Sequence, residues 1–113
     1  MYQLFHIEAS AKYESGHYQE AVRLLKSCLK TAKNLGERIP EGMAYANLAR
    51  CYFDMEDYRK AIEFYELSMN CMEESDDKDF KVHIYTCLGD AHFNLQLFKK
   101  AIDNYQIGLQ IIE

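Results

Sequence analysis

The chain has 113 residues, of which 49% are hydrophobic and 27% are charged, and its net charge is −5. This length predicts one domain (residues 1–113), and this composition excludes a disordered chain. The negative charge disfavours a nucleic-acid partner, and no apolar run in the sequence is long enough to span a membrane. The first residues lack the basic and apolar regions of a signal peptide, so we expect a cytoplasmic protein with no membrane or nucleic-acid partner.

Apolar residues at helical spacing predict six helices, separated by short polar or glycine-containing segments. Between the second and third helices, Gly36 predicts a helix stop, and Pro40 suits the first turn of the helix that follows. Before the fifth helix, residues 75–77 (Ser-Asp-Asp) offer N-cap side chains. The predicted helices span residues 2–14, 18–35, 40–54, 58–74, 78–94 and 98–113.

The same pattern recurs every 40 residues, three times and in register. Tyr18, Tyr58 and Phe98 recur at this period, and each is followed three positions later by an alanine. A period in this range indicates stacked supersecondary units. The sequence therefore predicts an all-α fold, a right-handed α-solenoid of three antiparallel helix hairpins that cover residues 1–40, 41–80 and 81–113.

Small residues also recur in register, next to large aromatic residues. Two closely packed helices require this combination, because the small residue allows the backbones to approach and the aromatic ring fills the space beside them. We expect these positions to be the contacts between the two helices of each hairpin. They are Ala9, Ala49 and Gly89 in the first helices and Ala21, Ala61 and Ala101 in the second helices.

The second repeat resembles the tetratricopeptide repeat. It reads Tyr45-x-x-Leu48-Ala49-x-x-Tyr52, followed by an aromatic-alanine-aromatic helix. The third repeat has His92 in place of the aromatic residue, and the first repeat has Glu8 and Lys12 where leucine and tyrosine are expected. The period of 40 exceeds the usual period of about 34. This longer period and the sequence of residues 35–42 make the repeat similar to the extended repeats of Pins/LGN-class adaptors.

The resemblance implies a non-enzymatic protein-interaction scaffold, in which the first helix of each pair lines a concave groove that binds a peptide or a helix of a partner protein. Tyr13, Phe53 and Phe93 form an aromatic row that either anchors the partner or packs sideways between neighbouring helices. Arg50 would contact an acidic partner side chain, and Asn47 would bond a partner backbone amide. The candidate contact residues are His6, Ser10, Tyr13, Asn47, Arg50, Phe53, His83, Cys87, Asp90 and Phe93.

Two other functions are open. Ile107 and Ile111 lie off the main packing stripe of the last helix, which favours a structural or self-associating segment that stacks on further repeats or forms a homo-oligomer. The charge also divides unevenly, with +2 over residues 1–38 and −7 over residues 39–113. This division fits either two solvated surfaces or an array whose basic end attracts the acidic end of another copy or of a partner.

Binding of chaperone C-terminal tails is disfavoured. In related proteins that bind such tails, a clamp of lysine, asparagine and arginine side chains holds the terminal carboxylate. The resemblance places the equivalent positions at His6, Ser10, Asn47, His83 and Cys87, and only Asn47 matches.

The sequence contains none of the motifs that would indicate catalysis or a cofactor. A glycine-rich phosphate loop, a G-x-S-x-G elbow and an H-E-x-x-H pair are all absent. The four cysteines (Cys28, Cys51, Cys71 and Cys87) are widely spaced, which favours free thiols over a zinc site. We expect no enzymatic activity, no cofactor and no metal.

Overall fold

The computed structural model describes the backbone of residues 2–113 and the side chains of residues 5–113. This part of the chain folds into six helices without a strand, and each helix packs against the next one in the chain. The all-α solenoid of three hairpins predicted from the sequence is therefore confirmed. The helices are α1 (Tyr2–Glu14), α2 (Tyr18–Leu35), α3 (Arg38–Asp54), α4 (Tyr58–Cys71), α5 (Lys78–Asn94) and α6 (Phe98–Ile112).

The helix ends follow local chemistry. Gly36 ends α2 in the left-handed conformation (φ 69°), and its N–H donates to the carbonyls of the last turn. The helix α3 begins at Arg38, two residues earlier than predicted, and Pro40 lies in its first turn, where no N–H is needed. Asp77 caps α5, because its side chain accepts a hydrogen bond of 3.0 Å from the N–H of Phe80.

The fourth helix is shorter than predicted. It ends at Cys71 rather than near residue 74, and Met72 forms its C-cap. The residues that follow include Glu73 and Glu74. Acidic side chains at a helix C-terminus oppose the helix dipole, so the continuation that the sequence pattern suggested is unfavourable.

The recurring small residues lie where the helices of each hairpin meet. All six of them are buried. The core consists of two clusters that lie between neighbouring hairpins. Leu25 of α2 packs with Leu48 of α3 in the first cluster, and Tyr65 of α4 packs with Ile84 and Leu88 of α5 in the second. Burying each of these large apolar side chains contributes about 1.5–3 kcal/mol, so the contacts between hairpins stabilise the stack.

No helix in the part of the chain that the structure describes is long and apolar enough to cross a membrane.

Candidate partner-binding site

Arg50 lies on the surface that α1 and α3 share. Its guanidinium carbon lies 4.0 Å from the centroid of the Tyr13 ring. The Tyr13 hydroxyl in turn donates a hydrogen bond to the carboxylate of Asp54, which fixes the orientation of the ring. Arg50 is exposed, and within the described residues its side chain forms no ion pair. A guanidinium held over an aromatic ring keeps the N–H donors in its own plane available, so Arg50 can bind a carboxylate.

Ser10 and Asn47 flank this pair. With Tyr13 and Arg50 they line a narrow cleft between α1 and α3, whose volume of about 10 Å³ is too small for a side chain. A partner would therefore lie across this surface rather than insert into it. Burial and the hydrogen bond to Asp54 raise the pKa of the Tyr13 hydroxyl, which keeps it a hydrogen-bond donor at neutral pH.

Each ring of the aromatic row at positions 13, 53 and 93 packs onto a neighbouring helix, which is one of the two arrangements expected from the sequence. Each ring contacts the aromatic residue that begins the second helix of its own hairpin, across the short turn. The ring centroids are 5.5 Å apart for Tyr13 and Tyr18, 5.1 Å for Phe53 and Tyr58, and 5.4 Å for Phe93 and Phe98. Tyr13 and Phe53 are half-buried, whereas Phe93 is exposed. Of the three rings, Phe93 presents the most surface to a partner.

In the third hairpin, Asp90 accepts a hydrogen bond of 2.5 Å from the Tyr105 hydroxyl. Burial, together with this bond, raises the pKa of Tyr105 to about 12. Cys87 lies beside His83, with 3.6 Å between the sulfur and Nε2, and burial raises the pKa of its thiol. The thiol therefore stays protonated at neutral pH, and this Cys–His pair lacks the thiolate that a nucleophile requires.

His6 lies on α1 and is half-buried. Burial lowers its pKa, so it is neutral at pH 7. The structure thus brings Ser10, Tyr13, Asn47 and Arg50 together around one cleft, and in the third hairpin it pairs Cys87 with His83 and Asp90 with Tyr105. Among the described residues no group of three histidine, cysteine or acidic side chains is arranged to hold a metal ion.

Two residues of this surface were missed from the sequence. Asp54 belongs to a polar segment that predicts a turn, and Tyr105 belongs to the packing stripe of α6, so neither pattern indicated a role beside a groove. Their hydrogen bonds run to Tyr13 and Asp90, at separations of 41 and 15 residues. The hydrogen-bonding preference of buried hydroxyl groups was the only available signal, and it does not identify the partner.

The two isoleucines for which self-association was predicted lie on the side of α6 that borders a recess shared with α4 and α5. Ile107 and Ile111 line a recess of about 520 Å³ together with Met69, Lys81 and Tyr85. Ile111 is half-buried there and Ile107 is 39% exposed. Other apolar residues of α6 are more exposed than these two, and they lie on the opposite side of the helix.

Comparisons with known proteins agree with this architecture. A family profile described as a tetratricopeptide repeat matches residues 4–74. The fold is similar to the crystal structure of the TPR domain of Arabidopsis FLU, with a TM-score of 0.91 and 16% identity over 98% of this chain and 93% of that one. It is also similar to the apo form of RapI, with a TM-score of 0.92 and 21% identity over 97% of this chain.

MamA is a third similar structure, with a TM-score of 0.77 and 23% identity over 98% of this chain. The chain spans 40% of the RapI structure and 58% of the MamA structure. No curated protein matches the chain significantly in sequence. At these identities the similarity concerns the fold.

Proposed function

Because the chain belongs to the tetratricopeptide repeat family, whose members are protein-interaction modules, we propose that it is a non-enzymatic scaffold that binds an acidic peptide segment of a partner protein. The peptide lies along the concave groove lined by α1, α3 and α5. The stacking of Arg50 on Tyr13 is the observation that carries this proposal. It presents an oriented guanidinium at the surface, at the junction of two repeats, where an extended peptide or a helix crosses both of them.

Different side chains of the groove contact different parts of the proposed peptide. Arg50 binds a carboxylate of the peptide, and the amide of Asn47 bonds its backbone. Phe53 and Phe93 supply apolar contacts farther along the groove, and the carboxylate of Asp90 is held by the Tyr105 hydroxyl. The proposed peptide therefore carries an acidic side chain near the first two hairpins and an apolar side chain toward the third.

The proposal also covers the domain organisation, the cellular compartment and the oligomeric state. We propose that residues 1–113 act as one binding domain in the cytoplasm and, from the 40-residue period, that the repeats are of the extended type of Pins/LGN-class adaptors. Self-association through Ile107 and Ile111 is a secondary candidate, because Ile107 keeps part of its surface exposed. It predicts that the apparent mass rises with concentration and that Ile107→Asp abolishes the rise.

The proposal is tested by selecting peptides from a random library on the wild-type protein and measuring their Kd for variants. We expect acidic peptides to be selected and Arg50→Gln to weaken them about tenfold or more, since a charge-assisted hydrogen bond is worth about 1.5–3 kcal/mol. Phe53→Ala should also weaken them. Arg59→Gln is the matched control, because Arg59 is an exposed arginine on α4, and it should change the Kd less than twofold. Equal losses for Arg50→Gln and Arg59→Gln would contradict the proposal, as would the selection of no peptide.

A further inference from the structure

The recess between the second and third hairpins has no filled counterpart of the kind that the rest of the stack shows. Its volume is about 520 Å³, and its apolar lining consists of Met69 of α4, Tyr85 of α5, and Ile107 and Ile111 of α6. These walls belong to two neighbouring hairpins, so the recess lies inside the stack and not at its end. We call it the α4–α6 recess. It admits a large apolar side chain, unlike the cleft of about 10 Å³ beside Arg50.

The equivalent positions between the first and second hairpins are filled. Forty residues before Tyr85 and Ile111 stand Tyr45 and Cys71, which are only 6% and 7% exposed. The ammonium group of Lys33 lies over the Tyr45 ring, 5.5 Å from its centroid. The open recess is therefore a departure from the repeat and not a property of each hairpin junction.

The early end of α4 accounts for this difference. The helix α2 continues to Leu35, and its last turn holds Lys33 over the ring that it covers. The helix α4 already ends at Cys71, so Glu73, the equivalent of Lys33, lies beyond the helix. Tyr85 remains half-buried as a result, and its side chain forms part of the recess.

The charges beside the recess also differ from their equivalents. In the second hairpin Arg38 forms an ion pair of 3.6 Å with Glu41. Forty residues later stand Lys78 and Lys81, two like charges that cannot neutralise each other, and both line the recess. Among the described residues neither lysine forms an ion pair, and the Lys81 ammonium donates a hydrogen bond of 3.4 Å to the backbone carbonyl of Glu73.

This pair of lysines makes the recess locally positive. Two lysines and one glutamate line it, which gives a net charge of +1 in a part of the chain, residues 39–113, whose net charge is −7. A carboxylate that reached Lys78 and Lys81 would form charge-assisted hydrogen bonds with both. The recess thus combines an apolar lining with an unsatisfied demand for an anion.

We propose that the α4–α6 recess binds a segment of a partner protein in which a large apolar side chain lies next to an acidic one. The apolar side chain packs against Tyr85, Ile107 and Ile111, and the carboxylate bonds to Lys78 and Lys81. A protein segment fits better than a small molecule, because a small-molecule site buries most of its ligand and this recess is open, with Ile107 39% exposed. This surface goes beyond the groove proposed above and uses none of its residues, so either proposal can fail without the other.

The test selects peptides from a random library on the Arg50→Gln variant, which removes binders that depend on the groove. Peptides that also bind Ile107→Asp are then discarded. We expect the remaining peptides to carry a leucine or an aromatic residue next to an aspartate or glutamate. Fluorescence anisotropy of the labelled peptides should give the same Kd for wild type and Arg50→Gln, and a Kd at least tenfold weaker for Lys78→Glu and for Lys81→Glu.

Lys99→Glu is the matched control. Lys99 is an exposed lysine in the first turn of α6 and does not line the recess, so its reversal should leave the Kd within twofold. Glutamate near the N-terminus of a helix is favourable, and circular dichroism establishes that each variant keeps its helix content.

Four results would overturn the proposal. The first two are that no peptide survives the discarding step, and that the surviving peptides are basic. The third is that Lys81→Glu and Lys99→Glu weaken binding equally. The fourth is that another occupant fills the recess: a wild-type dimer that Ile107→Asp converts to a monomer would identify a second copy, and decanoate that binds the recess more tightly than any selected peptide would identify a fatty acid.

Discussion

Gly89 is the position at which adding a single methyl group should be most informative. A Cβ at this residue would lie 2.6 Å from Cδ1 and 2.7 Å from Cζ of the Tyr105 ring, well inside van der Waals contact. The substitution Gly89→Ala must therefore move the ring away from α5. Moving it also breaks the hydrogen bond from Tyr105 to Asp90.

The expected change in the free energy of unfolding combines one stabilising effect and two destabilising effects. Replacing glycine by alanine inside a helix contributes about 1 kcal/mol of stability. Overpacking costs about 1–3 kcal/mol, and a lost hydrogen bond costs about 1 kcal/mol at a half-exposed hydroxyl. The net expectation is a loss of about 2 kcal/mol in the free energy of unfolding, and of about 8 °C in Tm at roughly 4 °C per kcal/mol.

Urea unfolding followed by circular dichroism, with a reducing agent present to prevent disulfide formation between the cysteines, measures this loss. The matched experiment is Gly89→Ala in a Tyr105→Leu background, where the ring is absent. There the substitution should be neutral or stabilising by up to about 1 kcal/mol. The reasoning is refuted if Gly89→Ala stabilises the wild-type protein, or if its cost is the same in both backgrounds.

Three further predictions concern the stability of the fold. Gly42→Ala should lower the free energy of unfolding by about 1–3 kcal/mol, because the new Cβ would lie 2.9 Å from Cβ of Cys71. Urea unfolding measures this loss. An unchanged urea midpoint would show that α3 and α4 can separate freely. Asp77→Ala should cost about 1 kcal/mol by loss of the N-cap bond of α5, whereas the neighbouring exposed Asp76→Ala should cost little; equal effects would argue against capping. The free energy of unfolding should fall as the pH rises from about 10 to about 12, because the folded state raises the pKa of Tyr105 from 10.0 to about 12 and the unfolded chain releases that proton first. The variant Tyr105→Phe should show a shallower decline. An identical decline in the variant would contradict this assignment.

The fold was predictable from the sequence because it depends on repeated local patterns. The recurrence of alanine and aromatic residues at a period of 40 predicted three hairpins, and Gly36 and Asp77 marked helix ends where the structure has them. The end of α4 was predicted three residues too late. Apolar periodicity continues past Cys71, and a pattern of apolar residues takes no account of the acidic residues that end the helix.

The candidate site was predictable only in part. Positions 10, 13, 47 and 50 were expected to share a surface, and the structure brings them together around one cleft. The stacking of Arg50 on Tyr13 and the bond from Tyr13 to Asp54 depend on how two hairpins are placed relative to each other, and periodicity does not specify this. Gly89 illustrates the same point. In the second hairpin the equivalent Ala49 and the equivalent ring, Tyr65, are both buried in one cluster, so the same pair of positions accommodates a methyl group there.

The most direct test of the proposed groove is an amide chemical-shift map of the ¹⁵N-labelled protein, titrated with an acidic peptide selected on it. The account predicts that the largest shifts fall on Ser10, Asn47 and Arg50 and disappear in Arg50→Gln. Shifts confined to α2 and α4, or shifts that persist unchanged in Arg50→Gln, would contradict it.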